Sequence, residues 1–317
     1  MRGLMENKML SIIIPVYYNA DTLEALYEDL LQKVLGKIPD YEIIFVDDGS
    51  GDESWEVMNR IREKDDRIRC LHLSRNFGEH AALLAGFSVC KGSCAVTKQA
   101  DLQEDSELIV RMYESWRQGN KVVLAAREKR KENPIKVFLA NRYYALVRKM
   151  VNPDMPPGGC DCYLIDRKVI EVLKLMDEKN SSLTLQVMWL GFQTDVIYFV
   201  REDRKQGKSR WTMAKKVKLA IDSILSFSYA PLRLMMRIGI GFNIGALLLM
   251  IQVFVEKFTT GTPIVGWASL MCVCLCGFGM IMIMLGLIGE YVWRTLDASR
   301  ARPAFLIETE VGKTEKE

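Results

Sequence analysis

The residues best suited to chemistry are carboxylates at the ends of short apolar runs. Asp47 and Asp48 follow the run Tyr41–Val46 and precede Gly49-Ser50. Acids at such a strand tip accept hydrogen bonds from a uracil or guanine N–H or from ribose hydroxyls. Turn formation explains Gly49 and Ser50 but not the adjacent acid pair. A second polar stretch, Gln99-Ala100-Asp101-Leu102-Gln103-Glu104-Asp105, follows the run Ala95–Lys98. Oxygen donors of this kind suit Mg2+ or Mn2+, and a divalent ion there neutralises a diphosphate as it departs. A third feature is cationic: Arg204-Lys205-Gln206-Gly207-Lys208-Ser209-Arg210-Trp211. Such a glycine-hinged loop can close over a diphosphate, with Arg204 and Arg210 pairing its oxygens; a solvated basic loop is the alternative.

These residues need a frame, and the pattern from residue 10 to about 200 supplies one by alternating β-rich runs with amphipathic stretches. Leu10–Val16, Tyr41–Val46, Arg69–Leu73 and Ala95–Lys98 read as strands, and Asp21–Leu35, Ser54–Lys64 and Ala81–Val89 as helices. The expected class is α/β with a mostly parallel sheet, whose strand ends are where ligands bind. Length (317 residues) allows a sizeable core, and 49% apolar with 26% charged residues excludes a disordered chain. The net charge of +3 is too small to imply a nucleic-acid partner. Eight cysteines form no CxxC pair, so reduced structural thiols are expected rather than a metal or disulfide framework.

Beyond residue 200 the composition changes. A basic stretch, 201–237, precedes two apolar runs, 238–255 and 264–289, without a charged residue in either. Each is long enough to cross a hydrocarbon core, for which roughly 20 helical residues suffice. Lys215, Lys216, Lys218, Arg233 and Arg237 precede the pair, and Arg294, Arg300 and Arg302 follow it. The positive-inside bias then puts both termini, and the domain before the spans, in the cytoplasm. Residues 213–227 read as a basic amphipathic helix lying along the interface, or as an ordinary surface helix, with Pro231 breaking it before the first span. The expected organisation is a catalytic domain (1–200), a juxtamembrane segment (201–237), two spans (238–290) and a cytoplasmic tail (291–317).

The order Pro15-Val16-Tyr17-Tyr18-Asn19, Val46-Asp47-Asp48-Gly49-Ser50, Leu73-Ser74-Arg75-Asn76-Phe77-Gly78, Ala100-Asp101-Leu102-Gln103, Gly158-Gly159-Cys160-Asp161 and the Arg204–Trp211 loop resembles family 2 glycosyltransferases of the GT-A (Rossmann-like) fold. Within that family it is similar to the polyprenyl-phosphate branch, which includes dolichol-phosphate mannose synthase. Phe227–Arg233 and Gly289-Glu290-Tyr291 extend the likeness over nearly the whole chain. The resemblance implies inverting transfer from a nucleotide-sugar donor to a polyprenyl phosphate at the cytoplasmic face of the plasma membrane. A UDP-sugar is favoured over a GDP-sugar, although Asp48 does not separate the two bases.

Carried over residue by residue, the resemblance makes Pro15, Tyr17, Asn19, Asp47, Asp48, Gln99, Ala100, Lys208, Ser209 and Trp211 nucleotide contacts. It makes Asp101, Gln103 and Gln99 the holders of a divalent metal, and Asp101, Asp161, Arg204 and Arg210 the catalytic set. Arg127 and Arg142 are the candidates for the acceptor phosphate, and a homo-oligomer, a tetramer by analogy, is implied. The chain departs from the family where Gln99 replaces the first acid of D-x-D, leaving Asp101 with Glu104 or Asp105 as possible compensation. Tyr18-Asn19 also stands where many relatives have Asn-Glu. Gly207 stands where the processive synthases' Q-x-x-R-W motif needs glutamine, which argues against that branch. Two other readings fit the sequence: a nucleotide-binding scaffold that has lost catalysis, and an anchored transferase acting on a glycan or protein.

Overall fold

The computed structural model describes residues 8–128, 159–176, 181–200, 213–260 and 266–312, with scattered residues between 142 and 156 and residue 178. The chain divides into two compact units, Met1–Ser223 with Pro303–Glu317, and Ile224–Arg302.

The first unit is built on an eight-stranded mixed sheet. Its strands are β1 (Leu10–Val16), β2 (Tyr41–Asp47), β3 (Ile68–Leu73), β4 (Cys94–Thr97), β5 (Val122–Arg127), β6 (Cys160–Asp166), β7 (Thr194–Phe199) and β8 (Ile307–Val311). Their order across the sheet is β7-β5-β6-β4-β1-β2-β3-β8. β1 and β2 are interior strands, and Ile12, Ile13, Ile14, Ile43, Ile44 and Phe45 are wholly buried. Continuous apolar runs, rather than alternation, are what a parallel strand covered on both faces requires. Each such side chain contributes about 1.5–3 kcal/mol by leaving water.

Helices follow the strands: α1 (Ala20–Leu30, continuing as a wide π turn to Leu35), α2 (Ser54–Arg62), α3 (Glu79–Val89), α4 (Glu107–Arg117), α5 (Arg167–Leu173) and α6 (Leu183–Trp189). Leu23, Leu26 and Leu30 of α1, Met58 and Ile61 of α2 and Met112 of α4 join one core with Leu10, Ile12 and Ile14. α3 packs on β1 and β2.

The sheet is mostly parallel, as expected, with two antiparallel strands. β6 runs antiparallel between β4 and β5, and β8 runs antiparallel along β3. Both antiparallel strands bring distant segments to the sheet. β6 delivers Cys160–Asp161 to the edge where β4 and β5 end, and β8 recruits chain that the sequence reading left as a tail.

The second unit contains two long helices. α7 (Met213–Phe227) ends before Ser228, whose Oγ accepts the Ala230 N–H at 3.1 Å as α8 (Ala230–Thr260) begins. Pro231 thus falls in the first turn of α8, where a missing N–H is harmless. After α8 comes α9 (Trp267–Ser299). Both helices are long and apolar enough to cross a membrane, over Ala230–Leu249 and Val273–Ser299, and neither stretch is buried within the protein. Leu248 is 62% exposed and Phe278 64%. A soluble core helix would hide such side chains, so a hydrocarbon environment is the consistent one.

Within this unit the end of α9 returns to the start of α8. Arg294 donates to Ser226 Oγ at 3.3 Å and Tyr291 Oη donates to Ser228 O at 3.5 Å. Glu290 pairs with Arg294 one turn on, at 3.1 Å.

Candidate active site

Strand order fixes where a ligand can lie. From β1 the chain moves outward to β2 and β3, then crosses to β4 on the other side of β1. A crevice opens at such a switch point, beyond the carboxyl ends of the two strands. The residues bordering it are Tyr17–Asn19 after β1 and Gln99–Asp101 after β4. Pairing of β1 with β4 ends at Ile13 and Thr97, followed by a Lys98 N–H to Ile13 O bond of 2.9 Å. Half-buried Pro15 comes two residues later, so its missing N–H removes no bond to β4.

The turn after β1 is held by its own polar groups. Asn19 Oδ1 accepts the Tyr17 N–H at 3.0 Å, and Ser50 Oγ accepts the Tyr18 N–H at 3.0 Å. Tyr18 has φ of 55°, and its ring meets Tyr17 edge-on at 4.8 Å. Thr22 Oγ1 donates to Ala100 O at 2.7 Å, tying α1 to the segment after β4. The nearly buried Ala100 therefore serves this brace with its backbone.

Asp47 and Asp48 sit at the end of β2 with different tasks. Asp47 is fully buried; its Oδ2 lies 2.7 Å from His72 Nδ1 and its Oδ1 accepts the Ser50 N–H at 3.1 Å. In this structure the Asp47 carboxylate is therefore committed to His72 and to the Ser50 N–H. Asp48 is 3% exposed and accepts the N–H groups of Phe77 at 2.7 Å and Gly78 at 2.9 Å. It anchors the loop leading into α3. Desolvation pushes its carboxyl up to about 6, helped by the charges of Asp47 and Glu79 and opposed by the two backbone donors. Gly49 is required here: its φ is 68°, and a Cβ would stand 2.6 Å from the Arg75 carbonyl carbon.

The loop after β4 has a rigid base. Lys98 is 2% exposed and donates to Glu104 O. Asp101 Oδ1 accepts the Gln103 N–H at 3.2 Å, with Leu102 at φ 56° between them. Asp105 pairs with Lys33 at 3.0 Å and accepts the Glu107 N–H at 3.1 Å, while Glu104 is 2% exposed. Asp105 is therefore occupied in bracing α1 to α4 and does not stand in for the acid missing at Gln99.

One acid does meet Gln99. Glu79, in the first turn of α3, accepts the Gln99 Nε2 donor at 2.5 Å. The sequence reading missed it, since an acid opening a helix is also what the helix dipole favours.

Strand direction gives two further placements. β5 is parallel to β4 by way of the antiparallel β6, so Arg127, ending β5, emerges at the crevice edge of the sheet. Antiparallel β6 begins there, which brings the backbone of Asp161 to the same edge. Gly159, with φ of 75°, packs its backbone against Tyr144, whose ring a Cβ there would strike. Arg142 is exposed. Arg204, Lys208, Ser209, Arg210 and Trp211 lie outside the described residues, as does Gly158.

Gln99, Asp101 and Gln103 present oxygen donors only, which fits a hard divalent cation. Among the described residues no three His, Cys, Asp or Glu side chains form a metal cluster. A cation at this segment would meet one carboxylate and two amide oxygens, a set that leaves room for phosphate oxygens.

A switch point in the sheet, acids at strand ends and a long apolar helix pair are the features of a membrane-associated α/β enzyme. Comparison with known proteins agrees. The sequence model of glycosyl transferase family 2 matches residues 11–174. The chain is 36% identical over 303 residues to the uncharacterized glycosyltransferase YkcC of Bacillus subtilis (strain 168), covering 95% of this chain and 94% of that one. It is 31% identical over 305 residues to the bactoprenol glucosyl transferase of Shigella phage SfV, covering 96% of this chain and 99% of that one. Glucosyl-3-phosphoglycerate synthase from Mycobacterium tuberculosis, solved with Mn2+, uridine-diphosphate-glucose and phosphoglyceric acid, aligns with a TM-score of 0.47 at 17% identity, over 69% of this chain and 78% of that one. At that level the likeness carries no functional argument. The chain belongs to glycosyl transferase family 2 and is a glycosyltransferase of the GT-A fold.

Proposed function

We propose that this enzyme transfers a sugar, with inversion, from a nucleotide-sugar donor to a polyprenyl phosphate on the cytoplasmic face of the plasma membrane. The observation that carries the reading is similarity to a bactoprenol glucosyl transferase over 96% of this chain, apolar helices included. An acceptor embedded in lipid fits a sheet domain whose chain leaves at residue 223 and returns at residue 303 through that helix pair. A UDP-sugar is the favoured donor.

A phosphate monoester oxygen of the acceptor is already anionic near neutral pH, so it attacks the anomeric carbon without a strong general base. The C1–O bond to the acceptor forms on one face as the C1–O bond to the nucleoside diphosphate breaks on the other. Tyr17–Asn19 and the loop fixed by Asp48 frame the nucleotide, while Asp47 and His72 hold the turn beneath it. A divalent cation held by Asp101, Gln103 and the Gln99 oxygen would neutralise charge on the leaving diphosphate. Arg127 offers a cation to the acceptor phosphate from the end of β5, with Arg142, Arg204 and Arg210 as further candidates. Asp161 is assigned to sugar positioning.

The test is transfer by purified enzyme in detergent with undecaprenyl phosphate and a panel of radiolabelled UDP- and GDP-sugars, with and without Mn2+. Label should enter the organic phase, and Asp101→Ala should lower the rate by about 100-fold or more, the scale of losing charge stabilisation in a transition state. Label found only in polymer or protein would favour a glycan or protein acceptor. Nucleotide binding without transfer across the panel would favour a scaffold.

A further inference from the structure

The cation site proposed above has one carboxylate in its Gln99–Gln103 segment, yet the cation would face a diphosphate and an anionic acceptor. A further acid, Glu79, is hydrogen-bonded to this segment from α3. It lies in the loop-to-α3 turn that Asp48 anchors, and it binds Gln99 directly at 2.5 Å. An ionised carboxylate only accepts, so Gln99 must offer Glu79 its amide nitrogen. That fixes the amide plane and turns the Gln99 oxygen away from Glu79.

Two other strands feel the same charge. Glu79 adds to the desolvation that raises Asp48 at the tip of β2, and likewise at Tyr163 on β6, whose buried hydroxyl has no hydrogen-bond partner among the described residues. The Glu79 carboxylate is thus within electrostatic reach of β2, β4 and β6, around the strand ends that border the crevice. A negative group at that position repels phosphate unless a cation stands between them.

We propose that Glu79 is a positioning residue of the cation site: it orients the Gln99 amide oxygen toward the cation and supplies the negative charge that a glutamine at position 99 cannot. This rests on the metal-assisted reading of the site. Acid and amide work as a pair, with Gln99 as the oxygen ligand and Glu79 as its charged support. Groups that support a metal ligand in this way typically change metal affinity 10–100-fold.

The experiment is a Mn2+ titration of full-length protein in detergent with saturating UDP, read by the electron paramagnetic resonance signal of free Mn2+. Wild type, Glu79→Gln, the double variant Glu79→Gln/Gln99→Asp, and Asp101→Ala are compared, with UDP binding and thermal melting as checks on the fold. Glu79→Gln keeps size and can still hydrogen-bond Gln99, so a merely structural brace predicts unchanged Mn2+ affinity. The proposal predicts a weakening of about tenfold, restored when Gln99→Asp returns the charge to the pair. Unchanged affinity in Glu79→Gln, beside a loss in Asp101→Ala, would overturn the role of Glu79 alone. Failure of wild type itself to take up Mn2+ with UDP would overturn the metal reading, and this proposal with it.

Discussion

Asp48 is a carboxylate that the fold makes costly to ionise. Two backbone donors favour its charge, but burial outweighs them, and its carboxyl rises to about 6. A raised folded-state value means the native protein holds a proton that the unfolded chain has released. Stability therefore falls as pH rises from the ordinary aspartate range through that value, and levels off above it. Asp29, Asp65, Asp105 and Asp166 do not mask this. Burial opposes their ionisation, yet hydrogen bonds from Lys33, Arg67, Tyr41, Trp116 and Lys121 prevail and hold them below the ordinary value. Denaturant unfolding should show wild type gaining about 2 kcal/mol between roughly pH 7 and pH 4.5. In Asp48→Asn that gain should be absent; an equal gain in the variant would assign it to another group. Buried thiols give a second test at this scale. Desolvation pushes Cys70 and Cys160 up to about 12, so neither should react with iodoacetamide at neutral pH until the protein is denatured. Mass spectrometry before and after denaturation checks this, and labelling of either in the folded protein would contradict the packing.

Among the elements, β8 has the most to explain. It adds an edge strand on β3, with Cys70 opposite Val311 and His72 opposite Thr309. Its Glu310 meets Arg69 at 2.5 Å, where both side chains are largely buried, and Arg69 also lies 3.6 Å from Glu42. Glu42 in turn accepts from Ser11 at 2.6 Å, so the last strand is bound into the centre of the sheet through one chain of polar groups. Removing one member of such a set leaves a charge poorly compensated. Glu310→Ala should cost about 2 kcal/mol in denaturant unfolding, whereas the exposed Glu308→Ala should cost under about 0.5 kcal/mol. Equal effects would mean the Arg69 pairing contributes nothing.

None of this was visible in Ile307-Glu308-Thr309-Glu310-Val311, which reads as a charged tail because its apolar positions are few. Only the open edge of β3 makes it a strand. β6 was hidden for a related reason: apolar runs reveal a strand but not its direction. The central strands were legible because Leu10–Val16 and Tyr41–Asp47 are apolar throughout, as burial on both faces demands. At the candidate site, the sequence marks Asp47, Asp48 and Asp101 as acids that follow strands. It could not tell that Asp47 turns inward to His72, which depends on the pairing of β2 with β3, or that Glu79 reaches Gln99, which depends on where α3 packs beside the end of β4.

For the molecule as a whole, the return of the chain to its starting sheet constrains how a membrane is crossed. Residues before 224 and after 302 belong to one folded unit. A sheet whose strands share backbone hydrogen bonds cannot have one strand on each side of a bilayer, because unpaired backbone groups in hydrocarbon are too costly. The apolar stretch can therefore cross only an even number of times, none or two, and α8 and α9 are long and apolar enough for two crossings. The link between Arg294 and Ser226 puts the two ends of the hairpin together, which is the same conclusion reached from inside the second unit. Direction follows from charge: Arg233 and Arg237 open the hairpin and Arg294, Arg300 and Arg302 close it, so this end should remain cytoplasmic. Thr260→Cys, at the end of α8, and Glu308→Cys, in β8, separate the possibilities. In intact cells a membrane-impermeant maleimide should label the first and spare the second, and permeabilised cells should show labelling of both. Labelling of Glu308→Cys from outside would invert the topology. Protection of Thr260→Cys in intact cells, with labelling after permeabilisation, would mean that the helix pair lies on the cytoplasmic side without crossing.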